Sequence, residues 1–155
     1  MYLSSDSVWP SEPQALRQFC LQVLAHQAHN LDGYAAQLGG QDYEWIRQPE
    51  IGMVMVHGRT EGSGTPFAVG ETTVSRCVLR LDSGETGFGY VLGRNKQHAT
   101  LVALADAHLQ SSAQAHWLEH LLRPLVARWR TEQAEHAANV ASSRVDFFTM
   151  VRGED

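Results

Sequence analysis

Lysine is almost missing from this 155-residue sequence: Lys96 stands alone among 12 basic residues, and the rest are arginine. Basic residues are also outnumbered by 17 acidic ones, for a formal net charge of −5. A chain this acidic is not held to nucleic acid by bulk electrostatics, so an anion site requires a local concentration of charge. Cysteine occurs twice, at Cys20 and Cys77. Without a CxxC spacing or a neighbouring metal-ligand partner, they read as buried structural thiols in a reducing compartment. No apolar run approaches the roughly 18 residues of a membrane span. Residues 1–13 show neither the basic nor the apolar region of a secretory signal. These absences predict a soluble, cytoplasmic protein with no membrane or nucleic-acid partner.

What is present suffices for one packed domain. Hydrophobic residues make up 43% of the chain and charged residues 19%, which excludes a disordered or fibrous protein. The length predicts a single domain over 1–155, with 1–10 as a flexible lead and 142–155 as a docking tail.

Ser11-Glu12-Pro13 reads as a helix start with Ser11 at the N-cap. Leu16, Phe19, Cys20, Val23 and Leu24 recur at helical spacing and predict a helix over about 12–29. A short second helix is expected over 31–38, closed by Gly39-Gly40. Four strands follow at 43–47, 53–59, 67–81 and 86–92, rich in β-branched and aromatic residues. The breaks at Gln48-Pro49-Glu50, Glu61-Gly62-Ser63-Gly64 and Asp82-Ser83-Gly84-Glu85 carry turn chemistry, and their shortness favours antiparallel hairpins. A bend is expected near Gly70. Farther along that strand, Cys77, Leu79 and Leu81 share one face while Arg76 and Arg80 take the other.

Residues 99–109 are rich in alanine and leucine, which lets a helix lie close on a sheet. A longer helical pattern covers 113–138, with Trp117, Leu118, Leu121, Leu122, Leu125 and Trp129 on one stripe. Pro124 inside it predicts a kink or a division after Leu122. The class is α+β: an antiparallel sheet of about four strands flanked by N-terminal and C-terminal helices, with a C-terminal apolar extension.

The most informative polar segment is Gly93-Arg94-Asn95-Lys96-Gln97-His98, which joins a strand to a helix. Cations at a helix N-terminus oppose its dipole, so Arg94, Lys96 and His98, with Asn95 and Gln97, suggest a bound anion such as phosphate. An acidic neighbour from this chain or a partner pairs the same charges equally well. His116-Trp117-Leu118-Glu119-His120 fits the HxxEH pattern, in which two histidines one turn apart reach zinc beside a basic glutamate. Its third ligand would have to be Glu132, Glu135 or His136, so a solvated helical face is the preferred reading and no metal site is assigned. Gly62-Ser63-Gly64 lacks the lysine and following helix of a phosphate loop and reads as a hairpin connection.

The terminal block alternates Val145, Phe147, Thr149 and Val151 with Asp146, Phe148, Met150 and Arg152. Bulky apolar groups on both faces suit a strand covered on both sides. Either it joins the domain's own sheet or it docks on another protein.

Two segments, Gly-Phe-Gly-Tyr-Val-Leu-Gly-Arg-Asn-Lys-Gln-His-Ala at 87–99 and Ser-Arg-Val-Asp-Phe-Phe-Thr-Met-Val-Arg-Gly at 143–153, closely resemble the PhnG family. These are subunits of the bacterial carbon–phosphorus lyase system. The segment Gly70-Glu71-Thr72-Thr73-Val74-Ser75-Arg76 is similar too. The resemblance implies a core complex with the subunits PhnH, PhnI and PhnJ, and functional dependence on PhnL. It implies support for attack of a phosphonate on the ribose C1 of MgATP with release of adenine. An iron–sulfur cluster and S-adenosylmethionine would serve a later step in another subunit, with no cofactor bound by this chain. It would be a subunit of an enzyme and not catalytic alone. Under this resemblance Arg94, Asn95, Lys96, Gln97 and His98 face an anion or an acidic partner surface. Val145, Phe147, Phe148, Met150 and Arg152 would anchor assembly.

Overall fold

Proline is welcome at the first position of a helix, where its missing N–H has no partner to lose. The computed structural model of the chain, which describes residues 9–60 and 64–142, starts its first helix α1 there, at Pro13–His26. The proline therefore sets the boundary: Glu12, not Ser11, is the N-cap, and it makes no side-chain cap bond. The helix closes at Gln27, two residues short of the expected end. Gln27 is buried and ties the region together, donating to Glu132 at 2.6 Å and accepting from Asn30 at 2.7 Å. The expected short helix is broken into α2 (Ala28–Leu31), a 3-10 turn (Asp32–Tyr34) and α3 (Ala35–Leu38).

Among the described residues the sheet has three strands, β1 (Tyr43–Arg59), β2 (Pro66–Leu81) and β3 (Thr86–Leu92), antiparallel in the order β1-β2-β3. The expectation of about four strands is corrected because Gln48-Pro49-Glu50 is not a turn. One strand runs through it, absorbing the proline in register shifts between Trp45 and Arg47 and between Arg47 and Glu50. Proline is tolerated there because β1 is an edge strand, with no neighbour on its outer side among the described residues. The bend expected near Gly70 is a bulge: Val56 pairs with Gly70 and His57 with Ala68, leaving Val69 as the extra residue. Residues 82–85 turn as predicted, with Gly84 at φ 106°.

Helix α4 (Lys96–His108) begins three residues earlier than its apolar pattern indicated and covers one face of the sheet. Its alanines allow the close approach expected of them, and glycines on β3 complete it. A Cβ at Gly87 would lie 1.8 Å from the Ala103 carbonyl oxygen, and one at Gly89 would lie 1.9 Å from that of Ala99. Cys77, Leu79, Leu81 and Val91 fill the interior beneath α4, while Arg76 and Arg80 take the opposite face. Over α4 packs α1, and against α1 packs a C-terminal run of α5 (Gln114–Trp117), a π-helical turn (Leu118–Leu122) and α6 (Arg123–Ser142). The run changes from π to α after Leu122, where a division was expected, and continues through Pro124 as helix. The wider π turn just before it accommodates the missing N–H, so Trp117, Leu121, Leu122 and Leu125 still reach the core.

Candidate functional site

Gly93, at φ 88°, turns the chain from β3 into α4 and presents the basic segment. Arg94, Asn95, Lys96 and Gln97 are exposed. Asn95 is the N-cap, and its side-chain oxygen accepts the His98 N–H at 2.9 Å, satisfying a donor that an anion would otherwise use. Gln97 reaches Asp32 at 3.5 Å. His98 corrects the expectation that placed it in an exposed contact. Its ring is 4% exposed, and Nε2 donates to the Leu24 carbonyl at 2.8 Å, so it links α4 to α1. The exposed cations of the segment are Arg94 and Lys96.

A second polar centre lies inside the fold. Asp106, 1% exposed on α4, accepts from Arg17 Nε at 2.9 Å, from Arg17 Nη2 at 2.7 Å and from the Phe88 N–H at 3.0 Å. Beside it a cavity of about 320 Å3 opens between α1, α4 and the start of α5, with Leu16, Cys20 and Leu118 in its wall. Burial, and then the nearby Asp106 charge, push the Cys20 thiol up to about 12. Burial pushes the Cys77 thiol up to about 11. Both cysteines are buried and free, which matches the structural role read from their spacing. A pair of such thiols is no donor set for an iron–sulfur cluster.

The HxxEH residues do not converge. His116 and His120 stack with ring centroids 4.3 Å apart, and His120 Nδ1 bonds the His116 carbonyl at 3.0 Å. Glu119 gives both carboxylate oxygens to Arg123 at 2.7 Å. That bond, ahead of all else, holds its carboxyl below the usual carboxylate range. Glu132 accepts from Gln27, as described above. Among the described residues no three His, Cys, Asp or Glu side chains are grouped to hold a metal ion.

The face of the sheet away from α4 carries exposed apolar side chains, although Val74, opposite Leu92 on that face, is fully buried. Phe88, Tyr90 and Leu92 on β3 and Ile46 on β1 stand 47–71% exposed. Charged groups set among them pair off, Arg80 with Glu44, and both Arg47 and Arg76 with Glu50 at 2.7 Å. The apolar tail residues Val145, Phe147, Phe148 and Met150, with Arg152, lie outside the described residues.

The family description "Phosphonate metabolism protein PhnG" matches residues 15–153, nearly the whole chain. The chain belongs to the PhnG family. It is also 49% identical over 110 residues to a protein of Rhizobium meliloti (strain 1021) named alpha-D-ribose 1-methylphosphonate 5-triphosphate synthase subunit PhnG. The alignment covers 71% of this chain and 70% of that protein. The resemblance read from residues 87–99 and 143–153 is thereby borne out, and both segments fall inside the matched range. Asp106 and the apolar sheet face away from α4 escaped the sequence reading. A single acid inside the Ala/Leu-rich run Leu101-Val102-Ala103-Leu104-Ala105 was the available signal for Asp106. For the sheet it was the alternation of Phe88, Tyr90 and Leu92 opposite small Gly87 and Gly89.

Proposed function

We propose that this chain is a non-self-sufficient subunit of a cytoplasmic carbon–phosphorus lyase assembly. Within it, the chain supports transfer of a phosphonate to the ribose C1 of MgATP with release of adenine. PhnH, PhnI and PhnJ are the proposed core partners, with PhnL required functionally. The 49% identity to a protein named as a subunit of that synthase carries this reading. MgATP is a substrate of the assembly, and the iron–sulfur chemistry belongs to another subunit. The chain's own contribution is to shape and complete the assembly, with Arg94 and Lys96 meeting either a phosphate group or an acidic partner surface. The interior supports a scaffolding role, since Asp106, His98 and His108 all bond inside the fold.

The test is reconstitution from purified subunits with MgATP and methylphosphonate, following adenine. Release is expected when this chain is present and is lost when it is omitted, and the chain alone releases none. Undiminished release without it overturns the proposal.

A further inference from the structure

β3 ends at Leu92, opposite Val74, so residues 53–59 of β1 and 66–73 of β2 continue as a ribbon with no third strand beside them among the described residues. Apolar side chains occupy both of its faces. Ile51, Met53 and Met55 project on the side that α4 covers farther along the sheet, and Met53 is 63% exposed. Val56, Phe67 and Val69 project on the other side. Phe67 and Val69 converge over Gly58, where a Cβ would lie 3.2 Å from the Phe67 ring and 2.9 Å from Val69 Cγ2. A two-stranded ribbon is marginally stable in water by itself, and apolar surface of this extent marks an interface.

On the Val56 side this surface lies on the same face as exposed Phe88, Tyr90 and Leu92, with buried Val74 between them. Level with Tyr90 on that face sits the Arg47–Glu50–Arg76 group. Two guanidiniums share one carboxylate there, leaving one positive charge uncompensated within the group.

We infer that the ribbon is gripped in an apolar cleft of a different polypeptide, which closes on both of its faces and sets a carboxylate against Arg47 and Arg76. This rests on the subunit reading above and names the surface through which that subunit assembles. Two apolar faces point to a cleft, because a flat partner would cover one side and leave the other in water. The residual positive charge selects an acidic group at the rim. A second copy of the chain is the poorer occupant. Cavities of about 320 Å3 between α1, α4 and α5 and about 510 Å3 beside His116 and His120 receive side chains and not a two-stranded ribbon. An isologous contact centred on the open face would also set two positively charged arginine groups against each other.

The test uses the full chain, tagged and coexpressed with the other synthase subunits, with partner recovery measured on the tag. Changing Met53→Glu and Met55→Glu together should cut recovery by about tenfold or more, because charges would enter a buried interface centre. The melting temperature should stay unchanged, since both side chains are exposed. Arg130→Glu on the exposed part of α6 should recover partners as the natural chain does. In parallel, a benzophenone side chain at Met53 and another at Val69, one per face, should each cross-link to the same partner polypeptide. These single replacements decide the matter even if the double variant misfolds. Full recovery by the folded double variant, adducts from one face alone, or adducts between copies of this chain overturn the inference. If the natural chain captures no partner subunit, the subunit reading fails first. If natural and variant chains assemble equally, only the docking surface fails.

Discussion

Arg17 and Asp106 are 89 residues apart in sequence and form a two-point ion pair at 2.9 and 2.7 Å. The same carboxylate accepts the Phe88 N–H, which points off the outer edge of β3. One acid therefore joins α1, α4 and the sheet edge, and occupies a backbone donor that an incoming strand could use. Arg17 also lies 5.5 Å from the centroid of the Phe88 ring, so it covers the edge it helps to close.

Asp106→Asn keeps the shape and removes the charge. It also turns an amide N–H toward donors that need an acceptor. The expected loss is about 2–3 kcal/mol, since hydrogen bonds to a charged group are the strong ones. For a chain of this size that lowers Tm by roughly 5–10 °C in a thermal melt. A melt within 2 °C of the natural protein (roughly 0.5–1 kcal/mol at this size) would show that the pair is not structural.

Gly89→Ala should be among the most damaging single changes. Its Cβ would meet the Ala99 carbonyl oxygen at 1.9 Å and carbon at 2.7 Å, so α4 would have to lift off the sheet. A loss of about 3 kcal/mol or more, or no soluble protein, is expected, because backbone cannot yield as a side chain does. Gly70→Ala is the comparison: nothing lies within 4 Å of its added methyl, and its stability should change by less than about 0.5 kcal/mol. Similar urea midpoints for the two variants would contradict this packing.

The thiols predict a stability slope at alkaline pH. Cys20 and Cys77 rise from 9.0 to about 12 and about 11 in the folded chain. Above pH 9 the unfolded chain releases these protons while the folded chain keeps them. Stability is therefore complete below pH 9 and falls as pH rises toward 11–12. Urea midpoints measured from pH 8 to 10.5 should fall. Replacing both cysteines by alanine should flatten the part of that fall that they cause. An unchanged slope would remove the thiols from the account.

Arg94→Ala with Lys96→Ala should leave the fold intact, because both side chains are exposed on the first residues around the α4 N-terminus. Growth on a phosphonate as the phosphorus source should be lost. Retained assembly with lost adenine release would indicate an anion contact, and lost assembly would indicate an acidic partner surface. Normal growth would end the assignment.

Much of the architecture was legible in short stretches of sequence. The apolar stripe at Leu16, Cys20, Val23 and Leu24 marked α1. The alternation of Cys77, Leu79 and Leu81 with Arg76 and Arg80 separated the faces of β2. Pro49 misled because the same residue makes a turn in one setting and a bulge on an edge strand in another, and edge position is a property of the whole sheet. His98 misled similarly: it belongs to a basic run in sequence, but its ring meets the Leu24 carbonyl 74 residues away.

Local periodicity and family resemblance thus determined the α+β class, the apolar face of each element and the PhnG family. Periods of 2 and 3.6 residues are set by neighbouring backbone alone. Only the tertiary structure decided which polar groups are consumed internally, as with Asp106 and His98. It also decided that α4 covers one face of the sheet while the other, with the β1–β2 ribbon, exposes apolar side chains. Those outcomes depend on what arrives from distant parts of the chain, and no local pattern encodes the arrival.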